Sequence, residues 1–326
     1  MSRARLAIIG AGLSGLVLAR ALREFADVAV FEKSRGFGGR MSTRRADPFA
    51  FDHGTQYFTA QTPRFRAFLE PYLEANTITC WMARHVQVDA SSGDSVVLPA
   101  RPLYVGVPAM NAFGKALAEG LAVWRSARVI RPVRAGTMWK LEMEDGTFHD
   151  GFDWVISTAP AEQTAALLPE DFAEHEALTQ ARMAGCYTLM LGLEAALELP
   201  WDAARVGGGP LGWIALNNSK PGRPEASSLV VQSSNEWAEA HMEDDQTQVA
   251  NRMLEAAEAI TGRTLLPAYR SLHRWRYAAV KTPAAAPFLV DAPQRLAAAG
   301  DWCLRARVEA AYESAIALAI DLKDRL

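Results

Sequence analysis

The sequence predicts an α/β fold in which a discontinuous Rossmann-like domain carries an inserted α+β domain built on an antiparallel sheet. Three observations predict it. The chain begins with an apolar strand, a glycine turn, a helix and a second apolar strand, over residues 6–9, 10–15, 14–25 and 28–31. Its middle changes to strands separated by long turns, and its end returns to a strand, a loop and a helix over 295–326.

The composition is that of an ordinary globular protein. Of the 326 residues, 50% are hydrophobic and 22% are charged, and this length suits two domains. A net charge of -3 gives no general attraction to nucleic acid or to acidic membranes. Cys80, Cys186 and Cys303 are far apart and form no CxxC pair, so we expect free, mostly buried thiols in a reducing compartment and no structural metal.

The N-terminal apolar stretch does not read as a secretion signal, because Gly10, Gly12 and Gly15 interrupt it. No other segment approaches the ~20 apolar residues that a membrane span requires. We therefore expect a cytoplasmic protein with no membrane partner.

The remaining elements are predicted in chain order. Residues 32–52 are expected to form an extended loop, since charge and glycine rise there. Asn111 is a candidate cap for a helix over 111–121, and Glu144-Asp145-Gly146 is typical of a hairpin turn within a β-meander over 127–148. Further helices are predicted over 63–73, 246–260 (ended by Gly262) and 308–326. Further strands are predicted to include Val96 and Val97 and to span 153–157, 187–193, 212–216, 229–233, 271–277 and 295–299, with connections at 99–108 and 300–307.

The first glycine motif, Gly10-Ala11-Gly12-Leu13-Ser14-Gly15, predicts a dinucleotide site. Its first glycine makes the turn, its second lets the backbone approach a pyrophosphate, and its third allows close helix–strand packing. The helix N-terminus stabilises the phosphate charge. Glu32 ends the next strand. A carboxylate at this position accepts a hydrogen bond from a ribose hydroxyl of the bound dinucleotide and disfavours a 2′-phosphate. This motif alone fits either NAD or FAD.

Two later motifs favour FAD. Gly38-Gly39-Arg40-Met41-Ser42-Thr43 follows Glu32, and Gly300-Asp301 precedes the last helix, which opens with Val308-Glu309-Ala310-Ala311. With the first motif, this combination resembles the FAD-binding signature of the flavin amine oxidase superfamily. The resemblance implies a Rossmann-like FAD-binding domain in which the acidic residue of the third motif, Asp301, holds a ribityl or pyrophosphate group. Cys303 lacks the flanking pattern of covalent flavin attachment, so FAD is expected to bind non-covalently.

Within that superfamily the chain resembles the renalases over nearly its full length. The segment Asp52-His53-Gly54-Thr55-Gln56-Tyr57-Phe58 and the pair Trp275-Arg276 carry the resemblance. It implies an FAD-dependent oxidase of the 2- and 6-dihydro isomers of NAD(P)H, with hydride transfer to flavin N5 and reoxidation by O₂ giving NAD(P)⁺ and hydrogen peroxide. Hydride transfer needs orientation rather than proton abstraction, so no catalytic side chain is predicted.

The motifs and the resemblance give two sets of candidate residues and the domain limits. The cofactor-binding candidates are Gly10, Gly12, Leu13, Ser14, Gly15, Glu32, Lys33, Gly39, Arg40, Met41, Gln56, Tyr57, Phe58, Val129, Ala159, Gly300, Asp301, Val308, Glu309 and Ala311. The candidates for binding the dinucleotide substrate are Tyr187, His241, Trp275 and Arg276. The FAD-binding domain is expected over 1–60, 100–160 and 278–326, and the substrate domain over 61–99 and 161–277.

Other polar and aromatic residues are expected to be structural. Trp213 is expected in the core, and the turn with Asn217, Asn218, Lys220 and Arg223 as a solvated loop that could alternatively contact a diphosphate. The basic strand with Arg270, His273, Arg274 and Arg276 is expected to be a solvated face or a phosphate-binding cluster, with Arg274 and Arg276 opposite Trp275.

Two other functions remain open. One is an amine oxidase or desaturase of a small apolar molecule, for which Lys281 is the candidate lysine beside the flavin and Tyr312 the candidate aromatic. The other is a non-catalytic flavin-binding or redox-sensing protein.

Overall fold

The computed structural model describes residues 3–326, which form twenty strands and eight α-helices. The strands are β1 (Arg5–Ile9), β2 (Asp27–Glu32), β3 (Thr43–Ala46), β4 (Phe49–Asp52), β5 (Ile78–Cys80), β6 (His85–Asp89), β7 (Ser95–Val97), β8 (Tyr104–Gly106), β9 (Ala122–Arg125), β10 (Val129–Ala135), β11 (Met138–Met143), β12 (Phe148–Phe152), β13 (Trp154–Ser157), β14 (Arg182–Leu193), β15 (Ala203–Gly207), β16 (Leu211–Leu216), β17 (Ser228–Ser233), β18 (Pro267–Thr282), β19 (Leu289–Asp291) and β20 (Leu296–Ala298). The helices are α1 (Leu13–Leu22), α2 (Pro63–Glu74), α3 (Ala112–Ala118), α4 (Ala161–Leu167), α5 (His175–Gln180), α6 (Asn235–Ala240), α7 (Gln246–Thr261) and α8 (Val308–Lys323). The first two residues of the expected 1–60 segment lie outside the described part.

One sheet is Rossmann-like. Its strand order is β19-β20-β13-β1-β2-β9, and all neighbours are parallel except β19 with β20. Alternating residues of β1 enter two different cores: Leu6 and Ile8 pack in the core that also holds residues of α1, α3 and α8, whereas Ala7 and Ile9 pack with the β10–β12 meander. Because both faces are covered, the strand is apolar throughout.

The second sheet has seven strands in the order β18-β14-β17-β16-β15-β6-β7. Its neighbours are antiparallel except β15 with β6. One face packs on α6 and α7, through residues such as Leu189, Leu191, Val249 and Met253. The predicted fold class, an α/β protein with a Rossmann-like sheet and a largely antiparallel second sheet, is confirmed.

Several local predictions differ from the structure. The expected loop over 32–52 contains the hairpin β3–β4, because Phe49 and Phe51 pack against Met190 and Val230 of the second sheet. The expected connection at 99–108 contains β8, which pairs with β5. Strand β18 extends from Pro267 to Thr282 and so crosses the expected domain limit between 277 and 278.

Helix ends follow the sequence in part. Gly262 ends α7 in the left-handed region, with φ 61°, and Asp245 caps its start by accepting hydrogen bonds from the backbone of Thr247 and Gln248. Asn111 takes the cap position of α3, but its side chain makes no capping hydrogen bond. No helix within residues 3–326 is long and apolar enough to cross a membrane.

Candidate functional site: a cleft between the two sheets

A cleft of about 1570 Å³ lies between the carboxyl ends of the Rossmann-like strands and one face of the second sheet. Ile9, Phe31, Thr158 and Gly300 line it at the ends of β1, β2, β13 and β20. Ligands of open α/β sheets bind at this edge. A pocket for one drug-sized molecule typically has roughly 300–1000 Å³, so this cleft has room for a large cofactor and a second molecule.

The three glycines of the first motif have three different surroundings. Gly10 has φ +111°, and a Cβ there would lie 2.8 Å from Oγ1 of Thr158. A Cβ on Gly15 would lie 1.9 Å from the carbonyl oxygen of Gly10, so Gly15 packs the helix onto the turn and does not line the cleft. A Cβ on Gly12 would have no heavy atom within 4 Å, and Gly12 lines the cleft. Only the bare backbone at Gly12 leaves that space to a ligand.

Glu32 lies at the rim of the same turn. Its Oε2 accepts a hydrogen bond from the backbone N of Ala11 at 2.8 Å. Its Oε1 accepts from the backbone N of Ser34 at 2.8 Å and from the Ser34 hydroxyl at 2.6 Å. These bonds fix a carboxylate at the end of β2, beside the cleft. Lys33 follows and donates to Oε1 of Gln163 at 2.9 Å, and burial is the main cause that lowers its pKa.

The second glycine motif packs directly on the first. The backbone N of Gly38 donates to the carbonyl oxygen of Ala11 at 2.9 Å. Gly39 has φ +56°, and a Cβ there would lie 3.3 Å from Cα of Gly12. Both loops therefore bring backbone, without side chains, to one point of the cleft wall.

The third motif joins the second through an ion pair. Nη1 and Nη2 of Arg40 donate to the carboxylate of Asp301 at 2.9 and 2.5 Å, and Nη1 also donates to the carbonyl oxygen of Ala278 at 3.0 Å. Burial disfavours the charged guanidinium, but the charge and hydrogen bonds of Asp301 outweigh it and raise the pKa of Arg40. Both side chains line the cleft.

Two helix N-termini meet at this wall. Leu13 and Ser14 of α1 and Val308 and Ala311 of α8 line the cleft, and the hydroxyl of Ser14 donates to the carbonyl oxygen of Ala311 at 2.8 Å. The positive ends of two helix dipoles therefore face one region. Such a region favours a phosphate or another anion.

Glu309 does not line the cleft, contrary to expectation. Its carboxylate accepts hydrogen bonds from the backbone N of Gln61 at 2.9 Å and from the N and hydroxyl of Thr62 at 2.7 Å each. Glu309 thus satisfies backbone donors at the start of α2. The other cofactor candidates, apart from Gly15, all line the cleft.

A buried ionic cluster supports the segment that follows β4. The carboxylate of Asp52 is fully buried and pairs with Lys220 at 3.3 Å and with Arg223 at 2.5 Å. Nζ of Lys220 also donates to Oε1 of Gln56 at 3.1 Å. Burial lowers the pKa of Lys220 to about 8 although Asp52 opposes it. The expectation of a solvated loop was wrong, because Lys220, Arg223 and Asn217 are the internal partners of Asp52 and its neighbours.

The second sheet contributes one row of side chains to the cleft. Gln87, Arg205, Trp213 and Gln232 are cross-strand partners on β6, β15, β16 and β17, and all four line the cleft. Directly paired residues share a face of a sheet. Trp213, expected only in the core, is therefore both a core and a cleft residue. Gln87, Arg205 and Gln232 were not predicted, because their alignment depends on strand pairing.

Trp275 lies on the same sheet, among histidines. Its Nε1 donates to the carbonyl oxygen of His53 at 2.8 Å, and its ring stacks on that imidazole with centroids 5.4 Å apart. The ring of His273 lies edge-on to the ring of Trp275, with centroids 4.4 Å apart. Burial is the main cause that lowers the pKa of both histidines to about 4, so both are neutral at neutral pH. Trp275 lines the cleft, and its role in binding a substrate stays a prediction.

The other three substrate candidates have different surroundings. Arg276 lines the cleft, but its guanidinium already pairs with Glu243 at 2.6 Å. Tyr187 is fully buried on the opposite face of β14, where its hydroxyl donates to the carbonyl oxygens of His241 and Met242 at 3.0 Å. His241 pairs with Asp244 at 2.7 Å outside the cleft lining. Neither Tyr187 nor His241 is placed to touch a ligand in the cleft.

The cysteines are free thiols. Cys303 has no exposed surface, and burial raises its pKa to about 12. Cys186 is buried and Cys80 is partly exposed. Within residues 3–326, no three His, Cys, Asp or Glu side chains are grouped so that they could hold a metal ion.

Known proteins share parts of this architecture. Residues 8–72 match the family model of an NAD(P)-binding Rossmann-like domain. The whole chain is similar in structure to a putative protoporphyrinogen oxidase from Exiguobacterium sp. 255-15, with 14% identity, 100% of both chains covered and a TM-score of 0.78. It is also similar to putrescine oxidase bound to putrescine, with 13% identity, 100% of both chains covered and a TM-score of 0.71. At these identities the likeness establishes the fold.

Proposed function

We propose that this protein is an FAD-dependent oxidoreductase of the flavin amine oxidase superfamily, which oxidises 2- and 6-dihydro isomers of NAD(P) and passes the electrons to O₂. One observation carries the cofactor part of the proposal. Three separate motifs, around Gly12, Gly39 and the distant Asp301, meet on one wall of the cleft.

The residues of this wall fit a flavin dinucleotide. Glu32 and Val129 would hold the adenosine end, and the bare backbone at Gly12 and Gly39, beside the start of α1, would hold the pyrophosphate. Asp301 and the start of α8 would hold the flavin end. The matched family model names NAD(P), but residues 8–72 end long before Asp301, and a simple NAD site has no use for the second and third motifs.

FAD would supply a two-electron acceptor, and O₂ can reoxidise that acceptor once it is reduced. The chain's own residues then have to bind and orient a flat dihydropyridine ring. Trp275, Trp213 and Tyr57 offer aromatic surfaces along the cleft. No acid–base pair is required, because a hydride leaves together with both of its electrons. Cys303 is buried away from the cleft lining, which supports non-covalent binding.

A dinucleotide substrate accords with the cleft better than a small amine does. The cleft is larger than a pocket for one drug-sized molecule, and Arg101 and Arg205 both line it. The candidates for an amine oxidase lie elsewhere: Nζ of Lys281 pairs with Glu239 at 2.7 Å, and Tyr312 packs against Phe65 and Phe68. Neither lines the cleft.

The test is anaerobic reduction of the purified yellow protein. It is mixed separately with NADH preparations rich in the 2- and 6-dihydro isomers, with ordinary NADH, and with amines that include putrescine. We expect rapid bleaching by the isomers alone, and hydrogen peroxide when air is admitted. Bleaching only by an amine would overturn the substrate assignment, and no bleaching by any compound would favour a non-catalytic flavin-binding protein. Acid precipitation should release the yellow cofactor into the supernatant.

A further inference from the structure

Two arginines on the second-sheet side of the cleft converge on one tyrosine hydroxyl. Nη2 of Arg205 donates to the hydroxyl oxygen of Tyr57 at 2.9 Å, and Nη2 of Arg101 approaches the same oxygen at 3.3 Å. All three residues line the cleft, and both arginines are exposed to it. Two guanidinium groups thus share one neutral oxygen as acceptor, which leaves most of their N–H donors free.

Three other arginines that line the cleft each have a countercharge, unlike Arg101 and Arg205. Arg40 pairs with Asp301, Arg128 with Glu144 and Arg276 with Glu243. Within the described chain, no carboxylate lies within ion-pair distance of Arg101 or Arg205. Like charges at one site repel each other unless an anion lies between them.

The surroundings carry no negative charge that would serve this purpose. Arg205 is the cross-strand partner of Trp213 on one side and of Gln87 on the other, and both partners are neutral. The ring of His85 packs against Trp213 at 5.2 Å and against Tyr57 at 6.2 Å. Burial, with the charges of Arg205 and Arg101, lowers the pKa of His85 to about 4. Among residues 3–326, Nε1 of Trp213 and Nε2 of His85 have no hydrogen-bond partner.

We infer that Tyr57, Arg101 and Arg205 form a subsite for the diphosphate of a dinucleotide substrate. The inference rests on the proposed function for the identity of the substrate. That the bound group is an anion follows from the position of the two arginines alone. Guanidinium groups bind phosphate through paired, charge-assisted hydrogen bonds. Arg205 lies on β15 of the second sheet, whereas the glycine loops follow β1 and β2 of the Rossmann-like sheet. The subsite would therefore bind a second diphosphate and not that of the cofactor.

The experiment uses the purified protein with its flavin bound. ADP-ribose, which has a diphosphate and no redox-active ring, is titrated while the flavin absorbance spectrum is recorded, and adenosine is titrated in parallel. Arg101→Gln and Arg205→Gln should each weaken ADP-ribose binding about tenfold and leave adenosine unaffected. Each variant should also raise KM for the dihydro isomers while the limiting rate of bleaching changes little.

Arg131→Gln is the matched control, since Arg131 is exposed, pairs with Glu142 and is not part of the cleft lining. If the double variant Arg101→Gln/Arg205→Gln binds ADP-ribose as tightly as the wild type, the proposed subsite does not exist. Arg205→Lys, which keeps the charge, should bind more tightly than Arg205→Gln, and equal affinities would contradict a phosphate role. A wild type that is not bleached by the isomers, but binds ADP-ribose through both arginines, would overturn the proposed reaction and leave the subsite standing.

Discussion

The carboxylate of Asp301 accepts two hydrogen bonds from the guanidinium of Arg40, at 2.9 and 2.5 Å. The two residues are 261 positions apart, and they connect the loop after β2 with the turn after β20. The side chain of Asp301 is 7% exposed, so its charge is largely removed from water. The pair therefore holds the second and third motifs together at the wall of the cleft.

Replacing Asp301 with asparagine should weaken both the fold and cofactor binding. Arg40 would lose its countercharge and a charged hydrogen bond, at a cost of about 1.5–3 kcal/mol in the free energy of unfolding. We expect purified Asp301→Asn to contain less flavin than the wild type. Urea denaturation and the ratio of flavin to protein absorbance measure the two effects. Glu142→Gln, which breaks an exposed pair with Arg131, should cost under about 1 kcal/mol and leave flavin content unchanged.

Gly12 and Gly15 should respond oppositely to alanine. Gly12→Ala places a methyl group in open cleft space, so the protein should fold normally but bind flavin poorly. Gly15→Ala drives a methyl group against the carbonyl oxygen of Gly10, so stability should fall by more than about 2 kcal/mol. Flavin content and thermal unfolding separate these outcomes. Gly36→Ala, which also meets nothing within 4 Å but lies outside the cleft lining, should change neither, and flavin loss there would contradict the reasoning.

Trp275 should affect the reaction, whereas Tyr187 should affect only stability. Trp275→Phe removes the hydrogen-bond donor to His53 and part of a flat surface on the cleft. We expect the rate at which the dihydro isomers bleach the flavin to fall about tenfold, which corresponds to ~1.4 kcal/mol in activation free energy. Tyr187→Phe removes a buried hydroxyl from β14, at a cost of about 1 kcal/mol in unfolding free energy. Stopped-flow absorbance compares the rates. A slower reaction in Tyr187→Phe alone would restore Tyr187 as a substrate residue.

Local sequence predicted well which residues meet on the wall of the cleft around Gly12, because each motif there is contiguous. Strand, glycine turn and acidic residue follow one another within residues 6–32, and their spacing alone places Gly12 and Glu32 at one edge of the sheet. The hairpin β3–β4 was missed for the opposite reason. Its buried residues Phe49 and Phe51 pack on strands that come more than 130 residues later, so the nearby charges of the segment misled the prediction.

The side of the cleft formed by the second sheet could not be predicted from local patterns. Strand β14 is buried along almost its whole length, so no polar alternation shows which face Tyr187 takes. The row of Gln87, Arg205 and Trp213 exists only because β6, β15 and β16 are neighbours. Likewise, Lys220 pairs with Asp52, which precedes it by 168 positions. Without knowledge of that ion pair, the polar turn around Lys220 is expected to be solvated.

Asp52 should be among the residues most important for stability. Asp52→Asn leaves Lys220 and Arg223 buried without a countercharge, and breaking a buried pair in this way costs about 3–5 kcal/mol. Urea denaturation of both proteins measures the difference. Asp202→Asn is the control, since its partner Arg84 is largely exposed, and it should cost under about 1 kcal/mol. Equal costs for the two substitutions would show that the buried cluster contributes no more than a surface pair.

The histidines beside Trp275 should make the protein less stable in mild acid. Burial lowers the pKa of His53 to about 4, helped by the charges of His273 and Arg44, and burial also lowers the pKa of His273 to about 4. An unfolded histidine takes up its proton near pH 6.5. Between these values the unfolded chain binds more protons than the folded one, so the free energy of unfolding falls as the pH drops from 6.5 toward 4.

At pH 5 the loss from this cause is at most about 2 kcal/mol per histidine. His53→Gln removes one titrating side chain while keeping a polar group of similar reach, so the decrease between pH 7 and pH 5 should be smaller than in the wild type. Urea denaturation at the two pH values, with flavin content held constant, measures it. The same decrease in both proteins would mean that folded His53 is protonated as readily as unfolded histidine, and that the ring is not shielded from water as its 8% exposure indicates.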